Sequence, residues 1–112
     1  MLLVNIGYKE DKICALDISK HARPLSKNDK KYKLVCAGVS SISIGLLNAI
    51  DELATDCCSI DVKELDSDLN HITVVVNNSN DVLQTILKTG VIQLETVAVT
   101  YSDYIEIRKT EV

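Results

Sequence analysis

The stretch KHARPLSKNDKKYKLVCAGVSSISIGLL, Lys20–Leu47, decides how the rest of the chain reads. After Cys36, apolar residues recur at steps of three and four (Val39, Ile42, Leu46, Ile50, Leu53), the period of an amphipathic helix. Pro24, Ser26, Asn28 and Asp29 mark the preceding segment as loop. The spacing therefore predicts a helix from about Val35 to Thr55, with Cys36 at or just inside its N-terminus. Unpaired N–H groups and the helix dipole favour an anion there, so a thiol at that place carries more thiolate. His21, at the far end of the same loop, is the candidate base.

Working outward, residues 2 to 8 alternate Leu2, Val4, Ile6 and Tyr8 against Leu3, Asn5 and Gly7, a strand with one better-buried face. Lys9-Glu10-Asp11 is a polar turn. Cys14, Leu16 and Ile18 then alternate with Asp17 and Ser19, so the two runs form a hairpin. On the other side of the helix, Cys58, Ile60 and Val62 define a third strand. Asp66-Ser67-Asp68 reads as a turn, and Ile72–Val76 is a β-branched fourth strand opened by His71. Asn78-Ser79-Asn80-Asp81 offers several N-caps for a second helix, whose buried stripe is Val82, Leu83, Ile86, Gly90, Leu94 and Val97. Tyr101-Ser102-Asp103 ends that helix, and Tyr104, Ile105 and Ile107 make a last strand. The order β-β-α-β-β-α-β predicts an α+β fold, a mixed or antiparallel sheet with both helices on one face.

Within the first helix, Gly38, Ser40, Ser41, Ser43 and Gly45 permit close approach, either of the sheet or of a bound peptide. Gly90 in the second helix marks another close contact. Asp51, Glu52 and Asp56 mark the exposed side at the C-terminal end of the first helix.

The 112 residues fit a single domain, 1–112, with 46% apolar and 25% charged content. There is no Trp or Phe, so the core must be aliphatic. No run reaches the roughly 20 consecutive apolar residues of a membrane span, and the N-terminus lacks a signal peptide's pattern, which predicts a cytoplasmic protein without membrane contact. Cys14, Cys57 and Cys58 read as small hydrophobes in strands, and no spacing suits zinc or another metal. His71 reads as a surface or edge residue. Six basic residues and one acid fall between Lys20 and Lys33, on an otherwise acidic chain. Such a loop either steers an anionic partner or is simply solvated. The absence of a recognised motif argues against nucleic acid.

Nucleophilic cysteine chemistry needs a thiolate, a proton acceptor and donors for the oxyanion. Cys36 and His21 suit the first two, and helix N–H groups such as that of Ala37 suit the third. Spacing alone is a weak signal, since a cysteine at a helix start is more often a plain core residue. The motifs add weight. Lys20-His21-Ala22, followed by Leu34-Val35-Cys36-Ala37-Gly38-Val39-Ser40, resembles the Gly-His-Ala and Val-Cys-Ala-(Ala/Gly)-Val-Ser motifs of the ribosomal-processing cysteine proteases, the Prp family. The resemblance extends over nearly the whole chain. It implies a homodimeric cysteine endopeptidase with Cys36 as nucleophile and His21 as proton acceptor, and no cofactor. Its implied substrate is the precursor of the twenty-seventh large-subunit ribosomal protein, whose N-terminal extension is removed during ribosome assembly. Ala37, Gly38 and Ser40 are the candidate substrate contacts.

Two residues depart from that pattern. Lys20 stands where the family has Gly, and Lys33 replaces an Asp three residues before the cysteine. Asp29 and Asn28 are both available to orient His21. The loop is also long and, from the sequence, without apolar anchors, which predicts that it moves when empty and orders over bound peptide. The competing reading is a non-catalytic dimeric binding module for a ribosomal or other basic-tailed partner.

Overall fold

The computed structural model describes residues 1–65 and 68–112, the side chains of residues 64, 65 and 68–70 excepted. In chain order the elements are β1 (Leu2–Lys9), β2 (Lys12–Ser19), α1 (Lys31–Leu53), β3 (Cys58–Leu65), β4 (Asp68–Val76), α2 (Asp81–Thr100) and β5 (Ile105–Glu111). The strands form one sheet in the order β3-β4-β2-β1-β5, antiparallel throughout except where β5 runs parallel to β1. This is the expected α+β order with a mixed sheet. The turn expected at Asp66-Ser67-Asp68 falls on residues 66 and 67, outside the described residues, and Asp68 itself opens β4.

Alternation produces a two-sided sheet. Val4 faces Ile18 and Ile18 faces Ile72 across the ladder, and all three are buried. They join Leu46 and Ile50 of α1 and Leu83, Leu87 and Leu94 of α2 in one aliphatic core under both helices. Each fully buried Leu there contributes about 1.5–3 kcal/mol of burial. Asn5, Asp17 and Thr73 lie on the opposite, partly exposed face. Ile60 and Val62 share the helix-covered face, yet each is 40% exposed because β3 is the sheet edge.

The phase of β2 differs from expectation. A bulge between Gly7 and Tyr8 in the β1–β2 register turns Ile13, not Cys14, into the core. The bulge frees backbone groups that the ladder would have used, and α2 supplies their partner. Gln84, 6% exposed, accepts from the Ile13 N–H at 2.9 Å and donates to the Ile13 carbonyl at 2.8 Å. Replacing Gln84 with Met should leave both groups buried and unpaired at about 1–3 kcal/mol each. Denaturant midpoints check this, and an unchanged midpoint would show the pair to be dispensable.

The stripes also shift. In α1 the buried residues are Val35, Val39, Ser43, Leu46 and Ile50, while Leu53 in the last turn is 66% exposed and Ile42 half-buried. In α2 they are Leu83, Gln84, Leu87, Gly90, Val91 and Leu94; Val82 is 52% exposed. The cap sets that phase: Asn80 accepts from the Leu83 N–H at 2.8 Å, which starts the helix at Asp81 and turns Val82 outward. Gly90 does mark a close contact, since a Cβ placed there would sit 2.9 Å from Leu46 Cδ1. Gly38 and Gly45 meet nothing within 4 Å, so they serve no close packing on the sheet. Both helices are long and apolar enough to cross a membrane by length and composition, but each buries one stripe in this core.

Candidate active site

Helix α1 begins at Lys31, four residues earlier than its apolar period suggests. The cause is Asp29, whose Oδ1 accepts from the Lys31 N–H at 2.9 Å and so starts the helix inside the polar, lysine-rich segment. Cys36 consequently sits in the second turn. Only the first turn of a helix has unpaired N–H groups, so the Ala37 N–H has a carbonyl four residues back as its partner. The expected oxyanion donor at Ala37 is therefore spent within the helix.

The loop still delivers its histidine to the cysteine. Ala22 is 2% exposed, so the loop has an apolar anchor after all, and it docks the residue next to His21 in the core. The Cys36 thiol points at the Ala22 carbonyl, Sγ to oxygen 3.9 Å. His21 and Cys36, both half-buried, line two cavities together. One is a space of about 30 Å³ between α1 and the sheet, bounded also by Val39, Ser43 and Ile72. The other is an open cleft of about 470 Å³ walled by Arg23, Pro24, Tyr32, Ala37 and Ser40. Ala37 and Ser40 thus share the cleft with Cys36. Gly38, on another helix face, lines neither space.

Lys20 has φ 66°, the left-handed region that costs an ordinary residue about 1–2 kcal/mol. Glycine adopts that conformation freely, which explains why a Gly suits the position before the histidine. Lys20→Gly should raise stability by up to about 1 kcal/mol, after allowing for glycine's larger unfolded-state entropy. A lower denaturation midpoint would mean that the lysine side chain contributes more than its backbone costs. Lys33 is exposed and faces a separate outer cleft with Leu25, Lys30 and Leu34, so it does not point into the space between Cys36 and His21. Among the described residues, none of the loop cations Lys20, Arg23, Lys27, Lys30, Lys31 and Lys33 forms an ion pair.

Asp29 does more than start the helix. Its Oδ2 accepts from the Leu25 N–H at 2.8 Å and from the Tyr104 hydroxyl at 2.7 Å. The Leu25 N–H and then the Tyr104 hydroxyl hold its carboxyl below the usual carboxylate range, and the carboxylate pushes Tyr104 up to about 12. A depressed carboxyl stabilises the fold above its unfolded value and loses that effect in acid. A raised phenol does so below its own unfolded value and loses the effect only in strong alkali. This contact therefore stays intact through the neutral range. Among the other thiols, Cys57 is 7% exposed, and burial, then the neighbouring Cys57, pushes Cys58 up. All four cysteines are free. His71, half-buried on β4, bonds Asp17 at 2.5 Å and borders the smaller cavity. No cluster of three metal-ligating side chains occurs among the described residues.

A cysteine and a histidine facing one cleft of an α+β fold are the residue types that thiol hydrolysis requires. The chain belongs to the cysteine protease Prp family, whose model matches residues 1–106. Two crystal structures of an essential ribosomal processing protease Prp from S. aureus, one with a covalently linked product peptide and one with a substrate peptide, are each 26% identical. Each alignment covers 98% of this chain and 100% of that one, with a TM-score of 0.78. SMU.848 from Streptococcus mutans, at 17% identity, shares the fold with a TM-score of 0.80 over 100% of this chain and 96% of its own. No curated protein matches the chain.

Proposed function

We propose that the chain is a cysteine endopeptidase of ribosomal processing, with Cys36 as nucleophile and His21 as proton acceptor. The observation that carries this is the shared cleft, which Cys36 and His21 both line, with the thiol set against the carbonyl of the docked Ala22. His21 takes the thiol proton, and the sulfur attacks the scissile carbonyl carbon. The C–N bond then breaks, and the leaving amine takes that proton back from His21. Water, deprotonated by His21, splits the thioester, releasing a carboxylate and restoring the thiol. Oxyanion donors available in the cleft are the Ser40 hydroxyl, one helical turn from Cys36, the Tyr32 hydroxyl and the Arg23 guanidinium. Ala37 and Ser40 are its peptide-facing helix residues.

The substrate in this reading is a ribosomal protein precursor, that of the twenty-seventh large-subunit protein, shortened at its N-terminus in the cytoplasm. The peptide-bound relatives support a peptide substrate. The enzyme acts as a homodimer. The groove between α1 and α2, walled by Ser41, Ile42, Gly45, Thr85, Thr89 and Gln93, has no charged side chain in its lining and suits such pairing. The chain is one domain and works without a metal or cofactor. Incubating the purified protein with that precursor and weighing the products tests the reading: one cut near the N-terminus supports it, and an intact precursor refutes it. Sedimentation at micromolar concentration tests the dimer.

A further inference from the structure

We propose that Asp29 and Tyr104 form a strap that sets where His21 stands relative to Cys36, which makes both of them positioning residues for the proposed cleavage. The inference rests on the protease reading and extends it to residues outside the cleft. Asp29 gathers three donors from three parts of the chain. The Leu25 N–H belongs to the loop, the Lys31 N–H to the start of α1, and the Tyr104 hydroxyl to the far end of the sequence. Starting the helix needs only the bond to Lys31. The bond to Tyr104 adds nothing to that role and ties the loop to a fixed post.

Tyr104 is such a post. It is 6% exposed, its carbonyl accepts from the Leu2 N–H at 2.9 Å, and its ring meets Tyr101 edge-on at 6.3 Å. The loop between His21 and α1 is thereby held at two points: Ala22 at the histidine end and Asp29 at the helix end. With both ends held, the spacing of the imidazole and the thiol is fixed by β5 and the sheet and no longer by a free loop. A misplacement of about 1 Å in such a pair can cost on the order of 10²-fold in rate. The lowered carboxyl of Asp29 and the raised phenol of Tyr104 fit a bond that persists at working pH.

The test compares Tyr104→Phe, which keeps the packed ring and deletes the hydroxyl, with Asp29→Asn and the double variant. Two readouts are taken: steady-state cleavage of the precursor, and deuterium exchange at the Leu25 and Lys31 amides. Each single variant should lower kcat by about 10- to 100-fold with KM little changed, and should speed exchange across residues 25–31 several-fold. The double variant should be no worse than Asp29→Asn alone, because one bond is removed in both. Wild-type exchange in both single variants overturns the strap, whatever the protein cleaves. Faster exchange with unchanged kcat shows a loop tie that does not position the site, and also overturns it. If the wild-type protein cleaves nothing, the protease reading fails, and the positioning role fails with it.

Discussion

Cys36→Ala should abolish cleavage of the ribosomal precursor while the cooperative unfolding transition is retained. No other cysteine can substitute. Cys57 is buried, Cys58 is pushed up by burial and by Cys57, and Cys14 lies on β2 at the bulge, away from His21. The half-buried Cys36 opens onto a cleft that His21 also lines. Among the four it should therefore alkylate fastest at neutral pH. Peptide mapping after brief iodoacetamide exposure reads this out, with Cys14 as the main competitor. Labelling of Cys36 no faster than that of Cys14, or residual turnover in the Ala variant, would remove it as the nucleophile. The side chain abuts the Ala22 carbonyl, so loss of one sulfur should disturb packing little.

His21→Ala should cost about 10²–10⁴-fold in turnover, the range for loss of a general base. Its activity should also respond differently to pH, because the wild-type profile belongs to the Cys–His pair as a unit. Asp29 and Tyr104 do not titrate near neutrality, so neither can mimic that response. Lys33→Asp is the contrasting control. Its ammonium is exposed on another surface and is screened over about 8 Å at physiological salt, so activity should stay close to wild type. A His21→Ala protein that cuts at the wild-type rate would exclude His21 from the chemistry.

Element order and type follow from periodicity alone: alternation in residues 2–8 and 12–18, and three-four spacing after Cys36 and after Asn80, are local properties that side-chain pattern dictates. The family motifs likewise lie in short runs, so His21 and Cys36 stand out before any fold is known. Phase and boundaries needed the tertiary structure. Cys14 alternates convincingly, yet a bulge answered by Gln84 from a helix 71 residues away turns Ile13 inward. Val82 and Leu53 match the helical period, but the Asn80 cap turns the first outward and the second is exposed while Ala54 after it takes the buried place. The start of α1 moved for a local reason that apolar spacing does not register: Lys30, Lys31 and Lys33 give no apolar signal, and Asp29 supplies the turn two residues on. Its bond to Tyr104 joins residues 75 apart and has no local trace in the sequence. What alternation and motif express is short-range and survives in an extended chain; what ties the loop to the rest of the fold is a long-range hydrogen bond, Tyr104 to Asp29, which needs the chain end brought back by the pairing of β5 with β1.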